Sequence, residues 1–356
     1  MKIDFISNSI SGGGAERVMV LLANEFAQKN NTVSIITFNE GLAYELNQKV
    51  NHIQLHGGKL KNHTLRSFVN LFKYYWKKPR RPEVAIAMMP KMNFISIIVC
   101  RILRVKIIAC EHNNHLRKTE KFERFIWGFS YRFADQLNVL TKFDKPFFED
   151  KGAKVTIMPN PCSFTLLDSE NPHKTNTILA VGSLNRIHHK GFDNLIKLIE
   201  PVLVEFPDWQ LKIVGGGDEG EEVLRQLVEK FEIKSQVIFT GFQNNVAEIM
   251  QQSKIFILSS RWEGLPMVLL EAMSQGMACI AYDCKTGPSD IIKNFENGLL
   301  IEDQNMEAMQ NGLKALIIDE QFRKSIGENA LRSLDYYSMD NVLLMWQRLF
   351  EKVMTN

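Results

Sequence analysis

Short apolar runs, many of them β-branched, recur along the chain, with helically spaced stretches between most of them. Runs at 2–7, 33–38, 84–88, 105–110, 136–140 and 155–158 read as strands, followed by 177–181, 211–214, 237–240, 255–258 and 278–282. Strand–helix alternation of this kind implies parallel sheets covered by helices on both faces. Eleven or more strands are many for one sheet. The natural break is Pro159-Asn160-Pro161, whose prolines hold their neighbours extended, with the polar stretch LDSENPHKTNT close behind. A linker is therefore expected near 159–175, dividing the chain into Rossmann-like α/β domains at 1–163 and 164–338. The apolar segment MDNVLLMWQRLFEKV, within 339–356, reads as a helix that packs back across the domains. Ligands of such sheets bind beyond the carboxyl ends of the strands. Two such domains facing each other would form a cleft.

Composition narrows the picture. The 356 residues are 45% hydrophobic and 23% charged, as in globular proteins, and the net charge of +3 is too small to argue for nucleic acid. The charge is uneven, however. Residues 59–81 hold eight Lys/Arg and no acid, and Phe68, Leu71, Phe72, Tyr75 and Trp76 follow helical spacing within them. Such a helix reads either as a membrane-surface element or as a surface helix with its apolar face in the core. MKIDFISNSISGGG reads as a strand and turn, not a signal peptide. The apolar run FISIIVC is soon broken by Arg101, Arg104 and Lys106, well short of the roughly 20 residues a spanning helix needs. Five cysteines without a CxxC pair suit a reducing compartment. The expected location is the cytoplasm, with peripheral contact at the inner membrane face through 59–81. The eight histidines show no metal-ligand spacing, and His188-His189 reads as a solvated pair.

Four stretches could carry chemistry. After the first strand, Gly12, Gly13 and Gly14 permit a tight turn into a helix whose amino end could face an anion; a plain strand–helix turn is the alternative. GGGDEG at 215–220 matches a dinucleotide fingerprint in form, but Asp218 and Glu219 would repel a pyrophosphate, so it reads as a turn. VGSLNRIHHKGFDNLI places Arg186, His188, His189 and Lys190 after a strand, where fixed cations suit a diphosphate leaving group; a solvated basic loop is the alternative. In RWEGLPMVLLEAMSQG, Pro266 suits a first helical turn and Gly276 a helix end. That puts Glu263 in a loop and Glu271 about a turn and a half into a helix. The backbone near Gly264–Met267 could donate to phosphate, and the Glu271 carboxylate could accept from ribose hydroxyls.

The second half resembles the family 4 glycosyltransferases, which have the GT-B fold. Their E-x7-E hallmark appears as Glu263-GLPMVLL-Glu271, within SSRWEGLPMVLLEAMSQGMACIAYD and near FTGF and TGPSDII. GGGAER and EHN (111–113) resemble motifs of the family's first domain, and the resemblance covers nearly the whole chain. It implies two Rossmann-like domains facing each other across a cleft. It also implies a donor site of Gly13, Gly14, Arg186, Lys190, Glu263, Gly264, Leu265, Pro266, Met267, Val268 and Glu271. In that scheme Glu271 binds ribose, Glu263 lies near the donor sugar and phosphates, Lys190 binds phosphate, and His112 contacts the transferred sugar. One departure stands out. Ser183 occupies the place of a family arginine, and Lys190 stands eight residues after Gly182 rather than six. Arg186 is the expected replacement.

The resulting expectation is a retaining glycosyltransferase using a nucleotide sugar, UDP-linked, with His112, Glu263 and Lys190 as catalytic residues. No DxD motif is present, so no metal and no cofactor are expected. The acceptor would be a saccharide, polyprenyl-diphosphate-linked, in bacterial surface polysaccharide assembly. Two alternatives remain, a nucleotide-sugar epimerase of the same architecture and a non-catalytic scaffold that binds nucleotide or a partner protein, while a dehydrogenase that holds NAD on GGGDEG is disfavoured by the acids in that turn.

Overall fold

The structure is a computed structural model and describes residues 1–117, 119–167 and 174–355. Most of the polar stretch read as a linker, residues 168–173, lies outside the described residues. Internal contacts divide the chain into two units. The first is Met1–Pro161 together with the segment from Met339, and the second is Cys162–Ser338.

The first unit holds a seven-stranded parallel sheet in the order β3-β2-β1-β4-β5-β6-β7. Its strands are β1 (Lys2–Ile6), β2 (Thr32–Thr37), β3 (Val50–Gln54), β4 (Val84–Met88), β5 (Lys106–Glu111), β6 (Gln136–Val139) and β7 (Val155–Ile157). Helix α1 (Gly14–Gln28) returns the chain from β1 to β2. Helices α2 (His63–Trp76), α3 (Pro90–Leu103) and α4 (Lys121–Phe125) carry it in the opposite direction, from β3 to β4, β5 and β6. Right-handed crossovers therefore place α1 on one face and α2, α3 and α4 side by side on the other. The helix Met339–Thr355 completes the first unit, with Phe350 against Phe26 of α1 at 5.4 Å.

The apolar face of α2 is turned inward. Leu71 and Tyr75 are fully buried, and Phe68 and Phe72 pack on the same core, while Trp76 is 64% exposed. Of the two readings of 59–81, the core therefore takes most of the apolar residues.

The second unit holds a six-stranded parallel sheet in the order β10-β9-β8-β11-β12-β13. Its strands are β8 (Thr175–Val181), β9 (Gln210–Val214), β10 (Val237–Phe239), β11 (Ser253–Leu258), β12 (Ala278–Tyr282) and β13 (Leu299–Ile301). Strand order reverses between β8 and β11, the topological position at which sheets of this kind bind ligands. The GGGDEG turn lies elsewhere, after β9. A Cβ at Gly215 would stand 1.8 Å from the Gly182 carbonyl oxygen. The Leu184 amide donates to the Gly216 carbonyl at 2.9 Å. Those glycines let one turn pack against the next, which explains their presence without a dinucleotide.

Candidate active site

In the second unit the stretch after β8 is tightly wound rather than a loose basic loop. A 3-10 turn (Leu184–Arg186) and a short helix (Ile187–Lys190) lead to Gly191. Gly191 has φ +67, and a Cβ there would fall 1.9 Å from the Ser259 carbonyl oxygen. The Ser259 hydroxyl in turn donates to the Lys190 carbonyl at 2.9 Å. The turns after β8 and β11 are thus joined at the switch point. Across that join the Lys190 ammonium donates to Glu263 Oε1 at 2.7 Å. Ser260 donates to the same oxygen at 2.6 Å, and Thr286, after the neighbouring β12, donates to the Glu263 carbonyl. Burial disfavours the charged Glu263. The Lys190 ammonium, the Ser260 hydroxyl and His189 outweigh it and hold the carboxyl below its usual range. The site therefore presents an anchored cation beside an ionised carboxylate. His189 stacks on Trp262 at 4.9 Å and donates to its carbonyl, while Arg186 is exposed on the same winding.

The helix after this loop is Met267–Ser274, with Pro266 as its N-cap. The amides of Met267 and Val268, in its first turn, have no helical carbonyl to bind. Pro266, counted among the donor-binding residues, has no N–H and can only shape the entry. Leu265 is buried. Glu271 sits five residues into the helix, 4% exposed, and accepts a hydrogen bond from the Ser163 hydroxyl. A carboxylate has lone pairs enough to accept from further hydroxyls as well.

In the first unit Gly13 caps α1 and Gly14 opens it. The sequence suggested amides open to an anion at this turn, but those of Gly12 and Gly13 are already taken. Both donate to Glu16 Oε2, at 2.8 and 3.1 Å, so the chain supplies its own anion to that turn. A ligand that used them would have to displace Glu16. At the end of β5, Glu111 is buried and accepts from Trp127 Nε1 at 2.9 Å and the Tyr131 hydroxyl at 2.8 Å. Burial raises its pKa, and the two donors offset part of that rise. His112 follows, and among the described residues its buried Nε2 has no hydrogen-bond partner. It lines a cavity of about 10 Å³ with Asn138, Asn160 and Trp346, roughly room for one water.

Comparison with known proteins assigns the chain. The profile for glycosyl transferases group 1 matches residues 167–333, and that for Glycosyltransferase Family 4 matches residues 12–164. The amylovoran biosynthesis glycosyltransferase AmsD of Erwinia amylovora is 31% identical, over 97% of each chain. The chain belongs to glycosyltransferase family 4. A second relative of this transferase is 29% identical over 99% of each chain. It is the GalNAc-alpha-(1->4)-GalNAc-alpha-(1->3)-diNAcBac-PP-undecaprenol alpha-1,4-N-acetyl-D-galactosaminyltransferase of Campylobacter jejuni. Among solved structures, HepE from Anabaena in complex with UDP superposes with a TM-score of 0.82 at 18% identity, over all of both chains. That likeness establishes the GT-B fold.

Sequence reasoning missed the residues that hold the glycosyltransferase's charged groups in place. Ser163 lies outside the motifs, and Ser260 and Thr286 lie within SSRWEG and TGPSDII with nothing in the sequence to tie them to Glu263. Only the order β8-β11-β12 shows that loops so far apart in the chain meet. It also missed Glu16, whose position three after Gly13 is the spacing of a capping box.

Burial pushes the pKa of His112 down from 6.5 to about 4, so its imidazole is neutral at physiological pH. A neutral ring can hydrogen-bond a sugar hydroxyl but is not a proton donor of useful strength. An unfolded chain takes up that proton near 6.5. Acidification from 6.5 to about 4 therefore favours the unfolded chain, by roughly 3 kcal/mol from this residue in full. Asp4, raised to about 6 by burial, acts with the opposite sign, as does Glu111. Both are common to wild type and His112→Gln. Melting temperatures across this window will therefore fall more steeply with acid in wild type than in the variant. Parallel curves would mean that His112 titrates normally.

Proposed function

We propose that this enzyme is a retaining, metal-independent glycosyltransferase that moves a sugar from a UDP-sugar to a lipid-linked saccharide in bacterial surface polysaccharide assembly. The observation that carries the reading is the Lys190–Glu263 pair at the switch point, with Glu271 buried in the helix that follows. The C1–O bond to the diphosphate breaks as the acceptor hydroxyl bonds to C1, the hydroxyl proton passes to the departing phosphate oxygen, and UDP leaves carrying negative charge. Lys190, Arg186 and the amides of Met267 and Val268 are the groups available to stabilise that charge without reorganising. Glu271 would accept from the ribose hydroxyls. Glu263, held ionised, would orient Lys190 and accept from a donor-sugar hydroxyl. His112 would hydrogen-bond the transferred sugar in its neutral form. Support for UDP comes from the HepE complex, and support for a lipid-linked acceptor from the undecaprenol-PP acceptor in the name of the Campylobacter relative. The cations of 59–81 offer contact with an anionic membrane face.

Thermal shift with UDP, GDP and NAD in EDTA, on wild type and Glu271→Ala, tests this. A ligand at 100 times its Kd adds about 2.7 kcal/mol to the folded state. UDP is expected to raise the melting temperature of wild type. Each charged hydrogen bond to ribose is worth about 1.5–3 kcal/mol, so the variant should bind UDP at least 10-fold more weakly. A response to GDP alone would change the donor. A response to no nucleotide would favour a scaffold that binds a partner protein.

A further inference from the structure

The helical run 121–133 has two apolar sides. It consists of α4, a wide π-helical turn (Ile126–Ser130) and a 3-10 turn (Tyr131–Phe133). One side buries Ile126, Trp127 and Tyr131 in the core of the first unit. The other carries Phe122, Phe125, Phe129 and Phe133, which are 37%, 49%, 47% and 43% exposed. The four rings touch in sequence, with centroids 6.5, 5.5 and 5.2 Å apart, and Phe94 of α3 braces Phe122 at 5.4 Å. A surface helix normally turns a polar side to water. Here that side is a continuous aromatic stripe, unlike the single exposed apolar residues that need no explanation.

The charges around the stripe identify its partner. The run itself carries Lys121, Arg124 and Arg132 and one acid, Glu123, which Arg117 holds at 2.9 Å. The Arg132 guanidinium lies 5.1 Å from the Phe129 ring centre. Beyond α3, in the same helical layer, α2 contributes Lys73 and the exposed Trp76, with Lys77, Lys78 and Arg80 just after it. Aromatic rings ringed by cations match an anionic bilayer, with acyl chains for the rings and phosphates for the cations. We infer that the stripe Phe122–Phe125–Phe129–Phe133 is a membrane-docking element that inserts into an anionic lipid surface, with the cations of α2 alongside. The sequence assigned membrane contact to 59–81, but that helix buries most of its apolar face. The stripe supplies the insertion that α2 lacks.

This role deepens the lipid-linked acceptor reading and rests on it for its purpose. The test uses acceptor-free vesicles, so its failure leaves that reading standing. The full chain is sedimented with vesicles of phosphatidylglycerol and phosphatidylcholine, and with phosphatidylcholine alone. Phe125→Ser/Phe129→Ser and Lys121→Glu/Arg124→Glu are compared with wild type after confirming unchanged melting temperatures. Wild type should bind the anionic vesicles, and each variant at least 10-fold more weakly. Equal binding by wild type and both variants would overturn the assignment. So would a wild type that ignores vesicles but forms a dimer dissolved by the serine variant, which would make the stripe a contact between copies.

Discussion

Lys190→Ala will lower kcat/KM about a thousandfold, the upper range for losing one preorganised group that stabilises developing charge. It will also weaken the fold. The Glu263 carboxylate, 10% exposed, loses its ammonium at 2.7 Å while its charge stays buried. Breaking a buried pair on one side costs about 3–5 kcal/mol, or roughly 10 °C in melting temperature for a domain of this size. The two effects separate in the double variant Lys190→Ala/Glu263→Gln. Removing the stranded charge should restore most of the melting temperature and none of the activity. Recovery of both would reduce Lys190 to a structural counter-ion. Loss of activity without loss of stability would mean that Glu263 relaxes into water once freed.

Gly191→Ala should be among the most damaging single methyl groups in the second unit. Its φ of +67 costs an L-residue roughly 1–2 kcal/mol, and the new Cβ would overlap the Ser259 carbonyl oxygen at 1.9 Å. No rotamer relieves a clash between Cβ and backbone, so the turn must withdraw. Withdrawal breaks the hydrogen bond from Ser259 to the Lys190 carbonyl and draws Lys190 away from Glu263. A loss above about 4 kcal/mol is expected, with nucleotide response gone even in whatever fraction folds. Thermal unfolding with and without UDP reads both. A variant that melts like wild type would show that the two turns are not rigidly joined. Gly182 needs no such room, since its nearest contacts are the Lys190 and Phe192 side chains at 3.3 Å.

The parallel sheets were legible because their central strands are apolar on both faces, as at 84–88 and 278–282. The two strands absent from the sequence reading are β3 and β13, and both lie at sheet edges. An edge strand packs on fewer neighbours, so VNHIQ keeps polar positions and LLI stays short. The acid pair was legible because a carboxylate inside VLLEAM defies the pattern around it. Its connection to Lys190 was not, because those residues stand 73 apart and only the strand order brings their loops together. The aromatic stripe was hidden for the opposite reason. Phenylalanines at helical spacing read as core, and only packing reveals which of two apolar sides the core takes.

The path of the chain between its two units has a consequence for synthesis. The first unit is interrupted by the whole of Cys162–Ser338 before the helix Met339–Thr355 returns to it. A chain emerging amino end first therefore presents a sheet and an α1 face without their cover, with Phe26 waiting for Phe350. The second unit is contiguous and can fold as soon as it is released. The first is then an open half-built domain for the time needed to translate about 180 residues, some 10–40 s. A ribosome stalled before Met339 would hold a protein whose later-made unit is finished and whose earlier-made unit remains a substrate for chaperones.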